Sequence, residues 1–315
     1  MAKEYVLFIS SHAVQMIYGS CDKKDMIKVE AFHEYPLEEG AMINGVITDD
    51  TSILDILKEL HENGLKETRL VIDSGQILVK NIRVPQLSKK ELLKVAKDEL
   101  SDIDGSYEDL IYDYSVLQPS FEEEEKKGGE ILCCAAERKL LTSYIELFEA
   151  AGIKLKSVDI SINALHKLTQ ELADLTGKTY IVSVLDGNNV SSYLFERNHY
   201  TFSNRTRLFS ERGTQAFISE MNSNISQLIQ FSKSKQSPYP VERAYFCGLD
   251  DAEELMVFES IRNNLNLQAD QFPDSKIVYV TQDSYHDFHL HDYVFPVGCL
   301  IRKLGEGDVS KWIEK

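Results

Sequence analysis

The sequence is poor in several features that would mark other classes of protein. Its longest apolar stretches, such as residues 293–301, are far too short to cross a lipid bilayer. Its five cysteines show none of the spacings of a zinc site, and each lies in an apolar run where a free thiol behaves as a small hydrophobe. No signal peptide is expected, because residues 1–3 lead directly into a strand pattern. These absences predict a protein of the reducing cytoplasm.

Basic residues are also scarce. The 315 residues include 51 Asp and Glu against 34 Lys and Arg, which gives a formal net charge of −17. Such a surface repels nucleic-acid phosphates and anionic lipid headgroups, so we expect neither nucleic-acid binding nor direct membrane insertion. A basic partner segment is favoured instead. The length exceeds one average domain, and 43% hydrophobic residues are enough for the cores of two lobes.

Motifs for catalysis and metal binding are absent or incomplete in the sequence. No nucleophile elbow occurs. Gly177-Lys178-Thr179 resembles the end of a P-loop, but the upstream glycine falls on Leu172, so we interpret the segment as the turn that ends a helix. One later segment contains three potential metal ligands, His286, His289 and His291. Because no set of four ligands is defined there, we predict a solvated loop and assign no metal site.

Two segments about half a chain apart share one strand–turn–strand pattern. Residues 4–21 and 179–202 each contain an apolar strand, a small polar turn and a second strand. In nucleotide-binding folds of the actin type, each half opens with such a hairpin, whose turn binds phosphates through backbone N–H groups while a carboxylate positions the metal. Here the first turn, Ser10-Ser11-His12-Ala13, has neither a glycine nor an acid, whereas the second keeps Gly187 beside Asp186. The pattern predicts the scaffold of an ATPase without its complete chemistry.

Strand and helix patterns alternate along the rest of the chain. Apolar residues with helical spacing predict helices over residues 51–63, 89–100, 139–151, 162–176, 213–235 and 252–265. Residues 78–159 have the order strand–helix–strand–strand–helix–strand, which predicts a compact unit inserted after the first half-domain. The acidic segment at residues 121–129 is interpreted as a solvated hairpin loop. The alternation favours an α/β protein with two related lobes.

Several segments, in matching order over nearly the whole chain, resemble a known family. They include residues 37–49, the tripeptide Arg83-Val84-Pro85 before a helix, residues 113–117, residues 132–159 and the closing run at residues 296–302. These segments are similar to those of the type IV pilus assembly protein PilM. The resemblance implies an α/β fold of the actin-like (ribonuclease H-like) type, with two lobes and an inserted subdomain like that of the cell-division protein FtsA.

The resemblance also implies a division of the chain into parts. The first lobe would comprise residues 1–78 and 160–178, interrupted by the inserted subdomain at residues 79–159. The second lobe would follow at residues 179–303, and residues 304–315 would form a C-terminal tail.

Proteins of this family bind ATP between the lobes, and the sequence departs from the family there. Aligned on Val14, the first loop has Phe8 in place of the metal-side acid, Ser10 in place of the glycine and Gln15 in place of the lysine. These substitutions remove the charged groups that would hold the metal and the phosphates.

The other two nucleotide loops are altered as well. In the second phosphate loop, the acid is either lost to Leu185 or displaced to Asp186, which would lie on the opposite face of a strand. The adenosine loop, normally rich in glycine, is Gly248-Leu249-Asp250-Asp251, whose two acids would repel a nucleotide. We therefore expect a pseudo-ATPase with no catalytic residues, in which ATP and Mg²⁺ are disfavoured. Its vestigial or weak nucleotide site would consist of Ser10, Ser11, His12, Gln15, Asp186, Gly187, Asn188, Ser191 and Gly248.

The family also docks the short cytoplasmic tail of the inner-membrane protein PilN, so the resemblance implies a PilN-type partner for this chain. The tail would lie as an extended peptide in a groove between the first lobe and the inserted subdomain. The residues expected near that groove, which join the two bodies, are Ile82, Val84, Pro85, Val158 and Ile160. The prediction is a cytoplasmic adaptor of the type IV pilus assembly machinery, peripheral to the inner membrane through its partner and in contact with other assembly components.

Three other functions stay open on the sequence alone. The first is an ATPase whose nucleotide site tolerates the substitutions, either active or binding ATP weakly. The second is a filament-forming protein that associates with itself, as actin-like proteins can. The third is a metabolite kinase of the same superfold, for which Asp186 is the one candidate for a catalytic acid.

Overall fold

The computed structural model describes residues 3–101, 109–118, 128–281 and 287–302. Most of the predicted loop at residues 121–129 and all of the predicted tail at residues 304–315 lie outside the described residues. The chain separates into two compact units that interleave in sequence. We call them the N-terminal unit (Glu4–Met16, Glu34–Asn163 and Arg302) and the C-terminal unit (Lys3, Ile17–His33 and Ala164–Ile301).

The first six helices of the described residues lie where the apolar periodicity predicts them, and the helix at Val294–Leu300 was not among those predicted. The helices are α1 (Thr51–Glu62), α2 (Lys89–Ser101), α3 (Arg138–Ala150), α4 (Ser161–Glu171), α5 (Gln215–Ser234), α6 (Asp251–Leu265) and α7 (Val294–Leu300). Only α4 ends clearly earlier than predicted, because Leu172 takes an extended conformation and a short 3-10 turn follows it. A capping box starts α2: the Ser88 N–H donates to Glu91 at 2.8 Å, and the Glu91 N–H donates to Ser88 at 3.4 Å.

The strands of the described residues form four sheets. They are β1 (Glu4–Ile9), β2 (Ala13–Cys21), β3 (Ile27–Pro36), β4 (Met42–Ile43), β5 (Val46–Ile47), β6 (Glu67–Ile72), β7 (Leu78–Pro85), β8 (Leu110–Gln118), β9 (Gly128–Glu137), β10 (Lys154–Ile160), β11 (Tyr180–Asp186), β12 (Asn189–Glu196), β13 (His199–Arg207), β14 (Arg243–Cys247), β15 (Gln268–Gln271) and β16 (Val278–Val280). The sheet orders are β10-β6-β1-β2-β3-β16, β13-β12-β11-β14-β15, β7-β9-β8 and β4-β5.

The core of the N-terminal unit lies between parallel strands and two helices. β10, β6 and β1 form a parallel ladder, and their apolar side chains pack against α1 and α3. Helix α3 presents Leu140, Tyr144, Leu147 and Phe148 to this core at helical spacing. β1 and β6 are buried along most of their length, whereas β10, at the edge of the sheet, is only partly buried.

The inserted subdomain is smaller than the predicted range of residues 79–159. Its separate antiparallel sheet is β7-β9-β8, covered by α2, whose Ala96 and Leu100 pack against Val84, Ile131 and Ala135. By contrast, α3 packs in the core of the first lobe, and β10 pairs with β6 in the larger sheet. The order of elements in this segment is as predicted. Its last helix and strand, α3 and β10, however, belong to the first lobe and not to the inserted subdomain.

The C-terminal unit contains the five-stranded sheet with α5 and α6 packed on it. Helix α4 from Ala164 onward also belongs to this unit, although residues 160–178 were predicted to complete the first lobe. The reason is close packing with α7: a Cβ atom on Gly298 would lie 2.1 Å from the Ala164 carbonyl oxygen. Only a glycine allows the two helices to approach this closely. None of the helices in the described ranges combines the length and the apolar composition that crossing a bilayer requires.

Candidate functional site

In the first predicted phosphate turn, the Ser10 side chain bonds the backbone of the same turn. The Ser10 hydroxyl accepts hydrogen bonds from the backbone N–H groups of His12 at 3.3 Å and Ala13 at 3.0 Å, and it donates to the Ala13 carbonyl oxygen at 3.1 Å. Ser10 itself is buried, whereas Ser11 is half-buried and His12 is exposed. Two N–H groups that such a turn would present to a phosphate are therefore engaged within the turn.

The positions of the expected acid and lysine in this first hairpin carry no charge. Phe8, in place of the acid, is 5% exposed and belongs to the apolar core. Gln15, in place of the lysine, is also buried and donates from Nε2 to the Glu34 carboxylate at 2.9 Å. The hairpin is intact as a structural element, but the groups that would hold a metal and a γ-phosphate are replaced by core packing and a strand-to-strand hydrogen bond.

The second predicted turn joins β11 to β12 and keeps a conformation suited to glycine. Gly187 has a φ of +57°, in the left-handed region. Leu185 is buried and Asp186 is half-buried, which fits the prediction that these neighbours occupy opposite faces of the strand. The two remaining predicted residues have structural partners: the Asn188 carbonyl oxygen accepts a backbone N–H at 2.7 Å, and the Ser191 hydroxyl accepts an arginine N–H from β13 at 3.2 Å.

The residues of the predicted adenosine loop lead into α6 and cap its N-terminus. Gly248 has a φ of +77°, and a Cβ atom there would lie 2.5 Å from the Leu185 carbonyl oxygen. Asp250 accepts the Glu253 N–H at 2.8 Å, while the Glu253 carboxylate accepts the Asp250 N–H at 3.1 Å. This capping box starts α6, so an acid that was expected to repel a nucleotide has a structural function.

Arg212 links the second turn to the adenosine loop within the C-terminal unit. Its guanidinium donates to the Gly248 carbonyl oxygen at 2.7 Å, to the Gly187 carbonyl oxygen at 3.5 Å and to the Glu253 carboxylate at 2.8 Å. Glu253 is only 2% exposed, so the arginine also neutralises a buried charge. The Arg212 guanidinium thus connects Gly187 and Gly248, and this contact was not predicted from the sequence.

The N-terminal unit contains a cavity of about 80 Å³ beside the inserted sheet. Its walls come from β8, β9 and β10, with Ile72, Ile77 and Leu141 completing an apolar lining. In the described part of the chain, β8 is one of the two outer strands of the three-stranded sheet, and β10 is one of the two outer strands of the six-stranded sheet. An outer strand can accept an extended peptide by backbone pairing, so two such strands at one cavity form a candidate peptide site.

Two carboxyl groups lie in the wall of this cavity: Asp113 on β8 and Asp159 on β10. Burial raises the pKa of Asp113, a hydrogen bond from the Tyr114 N–H opposes the rise, and the negative charge of Asp159 adds to it. Burial and the charges of the same two aspartates also raise the pKa of the Cys134 thiol, which is therefore neutral at physiological pH. The cavity is apolar, and its wall contains two acidic groups, one on β8 and the other on β10.

The five predicted partner-binding residues divide into two groups. Val158 and Ile160 on β10 line the cavity. Val84 and Ile82 on β7 instead pack in the core between the inserted sheet and α2, and Pro85 pairs with Gly128 at the end of that strand. The structure adds Asp113, Ser115 and Cys134, which were not among the predicted partner-binding residues.

The described residues contain no group of three or more His, Cys, Asp or Glu side chains placed to hold a metal ion. The rings of His289 and His291 stack with their centroids 5.3 Å apart, and His291 contacts Asp292 at 3.1 Å. His286 lies outside the described residues.

Comparison with known proteins places these features in a family. A family model for the type IV pilus assembly protein PilM matches residues 7–243. The structure of a PilM–PilN type IV pilus biogenesis complex is similar over 95% of this chain and 97% of that chain, with a TM-score of 0.75 and 15% identity. A Bacteroides thetaiotaomicron protein with an actin-like ATPase fold and unknown function covers 86% of this chain and 90% of its own, with a TM-score of 0.51 and 9% identity. No curated protein matches the chain.

The fold is therefore that of the actin-like proteins. Ethanolamine utilization protein EutJ from Carboxydothermus hydrogenoformans has it too, with a TM-score of 0.51 and 9% identity over 95% of this chain and 89% of that chain. The chain belongs to the family of the type IV pilus assembly protein PilM, because the family model spans most of its length. The resemblance seen in the sequence is thereby confirmed.

Proposed function

We propose that this protein is an adaptor of the type IV pilus assembly machinery, and that the cavity between β8 and β10 receives the cytoplasmic tail of a PilN-type membrane protein. The observation that carries the proposal is the meeting of two outer strands at one apolar cavity. A related fold is found in a PilM–PilN complex, which supports the identity of the partner. The partner would hold the protein at the inner membrane.

The test is calorimetric titration with a synthetic peptide of the tail of the PilN-type protein from the same organism. We expect a dissociation constant on the order of micromolar, because a short tail buries few side chains and must be ordered on binding. Ser115→Trp fills the cavity and should abolish binding. Val116→Trp is the matched control, since Val116 lies outside the lining and is exposed. Equal binding by both variants would place the tail elsewhere.

We further propose that the protein is a pseudo-ATPase. The first turn uses two of its N–H groups internally, and buried Phe8 and Leu185 stand where acids would order a metal-bound water. We expect no ATP hydrolysis above background, and no Mg²⁺-dependent rise in melting temperature with ATP. Steady turnover that survives repurification and disappears in Asp186→Asn would contradict the proposal, and would make Asp186 the metal-side acid.

A further inference from the structure

Strand β13 lies at an edge of the five-stranded sheet, at a position where the six-stranded sheet has a further strand. In each sheet a third strand follows the hairpin, as β1-β2-β3 in one and β11-β12-β13 in the other. In the six-stranded sheet, β16 pairs in parallel with β3, and Val278 lies opposite Ile27. Within the described residues no strand pairs with the outer side of β13. The same position of the fold therefore accepts an added strand in one sheet and is an edge in the other.

The pairing of β13 with β12 determines which backbone groups are directed to this edge. The Leu208 N–H donates to the Asn188 carbonyl oxygen at 2.7 Å, and the antiparallel register continues from there along both strands. Because hydrogen-bonded pairs alternate along such a ladder, the even-numbered positions of β13 from 202 onward bond β12. The N–H and C=O groups of Ser203 and Arg207 point away from β12, in the direction from which an added strand would pair.

The two segments that form this edge carry only positive charge. Residues 197–210, which include β13, and residues 221–241, which include most of α5, contain five Lys and Arg and no Asp or Glu. The whole chain, by contrast, has 51 Asp and Glu against 34 Lys and Arg. Glu220, which lies between the two segments, accepts the N–H groups of Phe209 at 3.0 Å and Ser210 at 3.1 Å. The edge is thus a basic region of an acidic protein.

Contacts between α5 and β13 place basic side chains near both ends of the strand. The ring of Phe231 in α5 stacks on that of Phe202 in β13, with the centroids 4.0 Å apart, and Lys235 Nζ lies 4.7 Å from the Phe231 centroid. Lys235 is therefore near Phe202, whereas Arg207 ends the strand five residues further on. Both side chains are exposed, and neither forms an ion pair in the part of the chain that the structure describes.

We propose that the outer edge of β13 binds an acidic extended segment of a partner protein, which adds a strand to the five-stranded sheet and places carboxylates beside Arg207 and Lys235. Backbone pairing fixes the geometry of the segment, and charge complementarity selects an acidic sequence. The inference does not depend on the proposed function. The residues that line the tail cavity belong to the N-terminal unit, whereas β13 and α5 belong to the C-terminal unit.

The first part of the experiment compares three peptides on the wild-type protein. The probe is a fluorescent peptide of alternating glutamate and valine, seven residues long, which favours an extended strand with its carboxylates on one face. One control peptide has glutamine in place of each glutamate. The other keeps the glutamates but has N-methylated amides, which cannot donate to a neighbouring strand. We expect saturable binding of the acidic probe by fluorescence anisotropy at about 0.05 M salt, and binding at least about ten-fold weaker for both controls.

The second part locates the site with protein variants. Arg207→Glu and Lys235→Glu should each weaken binding of the acidic probe about ten-fold. Lys94→Glu makes the same change of charge at an exposed lysine of the N-terminal unit and should leave the affinity within about two-fold, because the two units are separate in the fold. Ser203→Pro removes an N–H group that faces the edge and should weaken binding, whereas Ser203→Ala keeps that group and should not.

Each outcome supports or overturns the inference. Absence of saturable binding of the acidic probe would overturn it. Equal binding of the N-methylated peptide would mean that charge attracts the probe without strand pairing, and this comparison does not require Ser203→Pro to fold. Equal weakening by Lys94→Glu would attribute the effect to net charge and not to β13. Melting temperatures show whether each variant is folded. The PilN-type tail peptide should bind Arg207→Glu as it binds the wild type, so failure here leaves the proposed function intact.

Discussion

Loss of Arg212 should destabilise the C-terminal unit. Its guanidinium is the partner of the buried Glu253 carboxylate and also bonds two loop carbonyls. Removing one member of a buried pair leaves a charge without compensation, so Arg212→Ala should lower the free energy of unfolding by about 3 kcal/mol. Urea denaturation measures this change.

An exposed pair provides the control for this prediction. Arg243 contacts Asp270 at 2.9 Å, with both side chains substantially exposed, so Arg243→Ala should cost less than about 1 kcal/mol. Adding Glu253→Gln to Arg212→Ala should recover part of the loss, because the buried charge is removed as well. Equal effects of the two arginine substitutions would mean that the Arg212 contacts do not stabilise the loops.

Asp113 should make the stability of the free protein depend on pH. Its folded pKa is raised by burial, so its contribution to folding is fully present below its ordinary pKa and is lost as pH rises through the raised value. The Asp113→Asn variant has no titrating group at this position, so its stability does not fall in this way. The variant should therefore gain stability relative to the wild type as the pH rises from about 4 towards neutrality.

The measurement is the difference in urea midpoint between Asp113→Asn and the wild type at several pH values. The other titratable groups facing Asp113 are Asp159, Cys134 and Tyr114. The thiol and the phenol stay neutral in this range, because the pKa of each is raised. A difference that does not change with pH would show that the Asp113 carboxyl is hydrated in the folded protein.

The environment of a single residue could be predicted from the sequence where a local pattern determines it. The orientation of Leu185 and Asp186 and the glycine conformation at Gly187 follow from strand alternation and turn chemistry. The contacts of Arg212 could not be predicted, because its partners are distant in sequence and a lone arginine has no periodicity. The proximity of Asp113 to Asp159 could not be predicted either, because the two residues lie on strands that are distant in sequence.

Among the side chains that pack α3 into the first lobe, the buried Tyr144 also makes a hydrogen bond. The Tyr144 hydroxyl donates to the Gly45 carbonyl oxygen at 2.8 Å and ties the β4-β5 hairpin to the helix. Tyr144→Phe would leave that buried carbonyl without this donor, so we expect a loss of about 1–2 kcal/mol in the free energy of unfolding. Tyr239→Phe, at an exposed tyrosine, should change it by less than about 0.5 kcal/mol. Similar values for both would mean that the hydroxyl contact contributes nothing.

At the level of elements, periodicity located the helices well but could not assign α3 and β10 to a sheet. An amphipathic helix followed by an apolar strand has the same pattern whether it completes a small subdomain or returns to the lobe before it. The assignment is decided by the parallel ladder between β10 and β6 and by the packing of α3 against α1. Both are contacts between segments distant in sequence.

The charge of the whole molecule should affect how fast a tail is captured. With a net charge of −17, the protein attracts a basic peptide over distances comparable to the Debye length. Raising the salt concentration from about 0.05 M to about 0.5 M should therefore slow association of the tail peptide several-fold, with a smaller effect on dissociation. Stopped-flow fluorescence measures both rates. An analogue of the tail peptide in which norleucine replaces every basic residue should show little salt dependence. An equal dependence would exclude electrostatic attraction as the cause.

Glu4 has partners from widely separated parts of the chain. Its buried carboxylate contacts Lys156 at 3.2 Å and Arg69 at 3.9 Å, and it also pairs with Arg302, which is 298 residues away. On the ribosome, β1 emerges long before Arg302 does, and the segment Ala164–Ile301 of the other unit is made in between. The ion cluster at Glu4 therefore forms only after Arg302 has been translated. Folding of the N-terminal unit is thus completed after the C-terminal unit has been synthesised.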